Sequence, residues 1–438
     1  MIKSLFSKLS VVLGIYSFIL AVYSVFSYSL TDPNLVIIKW KPFLHFQQWM
    51  WQTFFHNAQL LTITYIAIII ALFIVYWRII VLLKQSSVYY QKSSGELLGI
   101  YLLLVAPLFF SYNALSHDVF NYMFNAKMVL EFQANPHVRV ALDFAYDPWL
   151  RFMHNTHTPA PYGYGWTAVS LLPYLLGMGK FLSTWLAFRL WAVLSLVATY
   201  YALLRLARAN KQVVETQQLA FVFLNPLIVI EIISNMHNDL WMIAPAILAL
   251  SFLLELSPGK KNQIWTFLLS LGLFGFSISI KWATLALLPL VILIITTKLY
   301  LFKFAQFAEK KLSNFATIPV SVVHFFEQKI YTIVPLCASI LLFLPLLTSR
   351  SQYFLPWYLS WALLWVVLIE NRTWKKILLI FSISALLRYV PWLWTGGFDG
   401  NVILYQRIYT FAPACVLLIY SLLRQLSAMS SSKITVIR

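Results

Sequence analysis

Twelve stretches of the chain are apolar for about 18 residues or more, near 9–29, 57–83, 95–115, 181–207, 217–235, 239–256, 264–280, 283–300, 331–348, 354–370, 375–394 and 402–424. Runs of this length predict transmembrane helices, because about 20 residues of α-helix cross the hydrocarbon core of a bilayer. Only Ser279-Ile280-Lys281 separates the two runs within 264–300. The pattern therefore predicts an all-α polytopic membrane protein with about twelve transmembrane helices. With no linker long enough to set off a soluble unit, residues 1–438 read as a single membrane domain.

The stretches between these runs carry their own signals. Residues 31–56 hold Trp40, Phe43, Phe46, Trp49, Trp51, Phe54 and Phe55, an aromatic pattern suited to the headgroup layer. Residues 116–163 form the longest polar loop. Residues 164–179, with Pro173 and two glycines after it, read as a half-inserted helix rather than a span. Residues 301–330 read as a basic connection carrying a surface helix.

Composition sharpens this picture. The chain is 61% hydrophobic and only 11% charged, with a net charge of +18. About two thirds of its 32 Lys and Arg residues fall on one side if both termini are cytoplasmic. That bias places the 116–163 loop outside, in a multi-pass plasma membrane protein. The positive charge is thus a topology signal, and no basic stretch is dense enough to track nucleic-acid phosphates. The two cysteines, Cys337 and Cys415, lie within apolar runs and predict neither a disulfide framework nor a metal cluster.

So few polar groups make their clustering informative. From Asp118, the residues Asn121, Tyr122 and Asn125 fall at i+3, i+4 and i+7, on one face of an amphipathic helix opened by Ser116. The same carboxylate would also suit the helix dipole, with Ser116 as N-cap. Downstream, Pro159-Ala160-Pro161-Tyr162-Gly163-Tyr164-Gly165 predicts a shaped loop. His154 and His157 are spaced for a metal but fit a polar interfacial loop better. A second knot follows Asn225-Pro226, where Pro226 should kink a span and free a carbonyl. Glu231, Asn235 and Asn238 would share a face there, with His237 and Asp239 beside them. Lys281, Arg350 and Arg407 are cations near the outer face, while Arg189 and Arg388 fall within spans.

These residues resemble the GT-C class of integral-membrane glycosyltransferases, and within it the bacterial polyprenyl-phosphate-mannose-dependent α-mannosyltransferases. The Ser-x-Asp-Val-x-x-Tyr stretch of that family is matched by Ser116, Asp118, Val119 and Tyr122. Its Asn-Pro-Leu-x-x-x-Glu…Asn-x-His-Asn-Asp pattern is matched by Asn225, Pro226, Leu227, Glu231, Asn235, His237, Asn238 and Asp239. A Lys-Trp pair resembles Lys281-Trp282. The chain departs from the pattern at His137, where the family carries Tyr, and at Tyr164, where it carries Pro. The match covers residues 100–300 in motif order.

The resemblance implies an inverting glycosyltransferase without cofactor or metal. It would move a sugar, mannose in the related enzymes, from a polyprenyl-phosphate donor to a lipid-linked or cell-envelope glycan acceptor. Asp118 would be the general base. His237 with one or more of Lys281, Arg350 and Arg407 would stabilise the leaving phosphate. Glu231 and Asp239 would orient His237 or sugar hydroxyls, while Asn121, Tyr122, Tyr162, Asn235 and Asn238 would line the donor and acceptor sites. A multi-span transporter or lipid flippase is the rival reading. It predicts an inverted repeat and midplane polar groups, and neither pattern is visible in the sequence. A lipid-pyrophosphate polymerase would need a large arginine-bearing loop late in the chain, which this sequence lacks.

Overall fold

The apolar runs resolve into helix after helix. The computed structural model describes residues 2–31, 35–86, 93–257, 263–311, 320–347, 354–397 and 399–435, and every regular element among them is helical. Seven helices are long and apolar enough to cross a membrane: Ser7–Leu30, Ala58–Gln85, Phe181–Ala209, Gln263–Ile280, Trp282–Leu299, Arg372–Thr395 and Gly400–Arg424. An eighth is possible if Thr216–Phe223 and Pro226–Ser234, bent by 44° at their junction, make one crossing. This is a membrane protein.

The remaining expected crossings are shorter helices with identifiable breaks. Ser94–Val105 tightens into a 3₁₀ turn at Ala106–Phe110, where Pro107 removes a backbone donor. Ile330–Leu346 ends in a 3₁₀ turn containing Pro345, and Pro356 opens Pro356–Leu368. Asp239–Glu255 has 17 residues and carries Pro245. The 264–300 pair does divide at Lys281, whose backbone is extended (φ −145°, ψ 133°).

Asp239–Glu255 packs against both Gln263–Ile280 and Phe181–Ala209 and is buried on nearly every face. It is the centre of the bundle. At its far end Arg205 meets Glu255 at 2.6 Å. The first end, at Asp239, is where the polar residues gather. Residues 164–179 form a helix, Tyr164–Leu176, whose 13 residues cannot span a bilayer. It ends at Gly177, where an added Cβ would strike Thr184.

The Asp118–Leu130 helix differs from the expected surface helix with one apolar side. Loop residues 131–163 fold back over it, so Phe120, Asn121, Tyr122, Phe124 and Lys127 are all buried. Lys127 holds that fold through an ion pair to Asp147 (2.5 Å) and lies 4.3 Å from the centre of the Trp149 ring. The Tyr174 hydroxyl donates to Glu131 from the neighbouring helix. The cap position is His117 rather than Ser116. The Ser116 hydroxyl still serves the helix start by accepting the Asp118 N–H at 3.3 Å.

Candidate active site

The two polar knots, more than a hundred residues apart in sequence, meet at one end of the bundle. The second is built by local chain geometry. Asn225 accepts the Leu227 N–H with its side chain and starts a turn at Pro226. The helix then widens to π geometry over Val229–Ser234, the kind of bulge that concentrates at functional sites. Met236 follows with φ +58°, a left-handed conformation that a non-glycine residue adopts at a cost. The His237 N–H closes the turn by donating to the Glu231 carbonyl at 3.2 Å. Arg189 clamps it from behind. Its guanidinium donates to the Ile233 and Ser234 carbonyls on this turn and to the Ser111 carbonyl and hydroxyl on the other. The clamp thereby ties the segment before Asp118 to the segment before His237.

His237 stands between two carboxylates. Its Nδ1 lies 3.7 Å from Asp118 Oδ2 and its Nε2 lies 3.4 Å from Glu231 Oε2. The side chain has no exposed surface, and its ring stacks on Trp357 at 3.6 Å. Burial, with the Lys281 cation adding to it, pushes its pKa well below the ordinary imidazole range. Glu231 is fixed by the Asn235 amide (2.9 Å) and the Tyr389 hydroxyl (3.1 Å). Asn235 also accepts the Leu115 N–H at 3.4 Å, a second tie between the two knots.

Asp118 is the most accessible of the three, with 20% of its side chain reached by solvent. The Tyr162 hydroxyl donates to its Oδ2 at 2.7 Å and the Tyr122 hydroxyl at 3.3 Å. Burial raises its pKa above the usual aspartate range, against the opposing effects of the Tyr162 hydrogen bond and Lys281. Lys281 donates to Asp239 at 2.9 Å and lies 4.6 Å from the centre of the Tyr162 ring. Asp239 also accepts the Trp361 indole N–H at 2.5 Å, while its second oxygen is buried with no hydrogen-bond partner among the described residues. The amide of Asn238 and the side-chain oxygen of Asn121 are buried and unpartnered in the same sense.

The Tyr162 loop is pinned by glycine. Gly163 N–H donates to the Ile280 carbonyl at 3.0 Å, and a Cβ on Gly163 would lie 2.0 Å from the Ser279 carbonyl oxygen. A Cβ on Gly165 would lie 2.1 Å from the Ser279 hydroxyl. The two glycines let this loop touch the break that presents Lys281. Gly163→Ala is expected to cost about 1–3 kcal/mol and to displace Tyr162. A thermal-unfolding comparison together with an activity assay checks both effects.

A cleft of about 520 Å³ opens beside these groups. It meets the cluster through Tyr162 and Lys281, and its lining also includes Trp361, Trp282, Leu285 and Leu344.

Of the residues singled out in the sequence, Asp118, Tyr122, Tyr162, Glu231, Asn235, His237, Asp239 and Lys281 form one cluster. Asn121 and Asn238 flank it. Arg407 is exposed on the last helix, and no described hydrogen bond or ion pair joins it to the cluster. Arg350 lies outside the described residues. His154 stacks on His117 at 3.8 Å and His157 is exposed. Among the described residues no three His, Cys, Asp or Glu side chains converge on a metal-sized point. The two departures, His137 and Tyr164, pack against each other at 3.9 Å, with the His137 Nε2 2.9 Å from the Thr167 hydroxyl. The sequence reading missed Trp357, Trp361 and Tyr389. The signal for the first two was a pair of indoles four residues apart in an apolar run, each with an N–H that needs a partner. Nothing in the local sequence marked Tyr389.

No curated protein and no solved structure matches the chain. The model of the MptA_B family, described as alpha-(1->6)-mannopyranosyltransferase, N-terminal domain, matches residues 11–297, about two thirds of the length. That span contains both polar knots, the glycine-pinned loop and Lys281. The chain is a member of this mannosyltransferase family.

Proposed function

We propose that the protein is an inverting mannosyltransferase that takes its sugar from a polyprenyl-phosphate donor and attaches it to a glycan or glycolipid acceptor at the outer face. The observation that carries the donor class is the cleft. Its lining combines a cation, Lys281, and the aromatic Tyr162 with apolar Trp282, Leu285 and Leu344, a mixture that suits a sugar phosphate carrying an isoprenoid tail. Asp118, the accessible carboxylate, is the general base toward the acceptor hydroxyl. Lys281, held by Asp239 at the cleft wall, is the cation for the departing phosphate. A lipid phosphate leaves as a stable anion, so no strong general acid is required. His237, buried and turned toward two carboxylates, acts behind Asp118 rather than on the phosphate.

The same reading takes both termini as cytoplasmic and the Pro-broken apolar helices as further crossings, bringing the total to twelve in one domain. Against a transporter, the polar groups lie at the helix ends beneath a loop and not halfway along the spans. The full chain reconstituted in vesicles, supplied with polyprenyl-phosphate mannose, glucose or arabinose and separately with nucleotide-linked mannose, tests the reading. Transfer from polyprenyl-phosphate mannose is expected. Transfer from the nucleotide sugar alone, or from none of the donors, would overturn it.

A further inference from the structure

The mechanism just described leaves unused the most deeply buried part of the cluster. Behind Asp118 stands an imidazole with each nitrogen facing a different carboxylate, at 3.7 Å and 3.4 Å. Behind that imidazole stands Glu231, held on both oxygens by Asn235 and Tyr389. Because the two ring nitrogens point to opposite sides, the arrangement does not chelate. It is a line, accessible at Asp118 and closed at the fully buried Glu231.

We infer that Asp118, His237 and Glu231 form a proton relay, in which His237 and Glu231 are positioning residues that restore Asp118 as a base during transfer. The inference rests on the assignment of Asp118 above. In the reaction the acceptor O–H bond breaks as its oxygen bonds the anomeric carbon of the donor sugar. The bond from that carbon to the phosphate oxygen breaks, and its electron pair leaves on the phosphate. The proton goes to Asp118, then to His237 Nδ1, while the Nε2 proton moves toward Glu231 Oε2. After the product departs, the proton returns through Asp118 to water.

Three observations fit this order. The ring is wholly buried and stacked on Trp357, which holds its orientation. Burial keeps it neutral and opposes a lasting imidazolium, so a proton taken at one ring nitrogen must leave from the other. The strained Met236 backbone and the Glu231 carbonyl fix the imidazole at the turn. The distances exceed an ordinary hydrogen bond, as catalytic contacts commonly do before substrate closes them. The relay also draws on the C-terminal third. Trp357 and Tyr389 both lie beyond residue 297, where the family match ends.

The test is a single-turnover rate in vesicles, measured as a function of deuterium content for the intact protein, Glu231→Gln and Tyr389→Phe, with Asp118→Asn alongside. The intact protein is expected to show a curved dependence, from more than one proton moving together. Glu231→Gln should lose about 10²-fold in rate, with the donor KM unchanged and the dependence straightened to one proton. Tyr389→Phe, which keeps the ring and therefore the packing, should straighten the curve with a smaller loss and carries the test if Glu231→Gln does not fold. Unaltered curvature in the folded variants would overturn the relay while Asp118→Asn remained inactive. Full activity in Asp118→Asn would instead overturn the base assignment itself.

Discussion

Replacing Asp118 with Asn is expected to lower the transfer rate by about 10²–10⁴-fold, the range a positioned general base supplies. The amide keeps the shape and still accepts from Tyr162, so the protein should insert and unfold like the parent. Only proton uptake is lost. The pH dependence gives a second reading of the same group. Asp118 works as the carboxylate, so the rate falls as pH drops through its pKa. Burial has raised that pKa, and the acid limb of kcat/KM should therefore lie above that of a solvated aspartate. The groups facing it pull in both directions: Tyr162, Tyr122 and Lys281 favour the charged form, Asp239 opposes it, and His237 stays neutral. Tyr162→Phe removes the 2.7 Å donor that stabilises the anion. The limb should then move to higher pH. A limb that stays in place, in a variant with an intact fold, would mean that a group other than Asp118 sets it.

Asp118 and the 225–239 knot were legible in the sequence because a carboxylate is costly in an apolar chain and is kept only with partners. The fold class was legible for a related reason, since long apolar runs leave the backbone no choice but helix. The number of full crossings was less so. Apolar length alone does not reveal where Pro107, Pro345 and Pro356 divide a run into short helices. The orientation of the Asp118–Leu130 helix was misjudged for a different reason. Its amphipathic pattern was real, but the loop packs on both sides of the helix, with Tyr162 against Asp118 and Tyr122 and Asp147 against Lys127 on the opposite face. Trp357 and Tyr389 escaped notice because stacking and a single hydroxyl bond across more than 100 residues leave no local period. Arg189 was visible as a charge within a span. Nothing in the sequence marked its place behind the turn that carries His237.

Arg189→Leu is expected to be the most damaging change away from the reacting groups. The side chain has no exposed surface and bonds three carbonyls and one hydroxyl on the two segments that carry Asp118 and His237. Leucine matches the burial but leaves the three carbonyls without this donor, each at about 1–3 kcal/mol, while the Ser111 hydroxyl keeps Leu108 and Ser234. Several cannot find a new donor, because the π-turn at Val229–Ser234 has already diverted its backbone from ordinary helical bonding. The loss should be on the order of 3 kcal/mol or more, seen as a depressed Tm in detergent. Transfer should fall further than the unfolded fraction accounts for, since the turn that aims His237 at Asp118 is released. Arg189→Lys separates the two contributions. Lysine restores a charge and some donors but lacks the planar fork that spans Ser111 and the Ser234 turn at once. It should recover much of the Tm and little of the rate. Equal recovery of both would show that Arg189 serves the bundle alone, and that the turn keeps His237 in register without it.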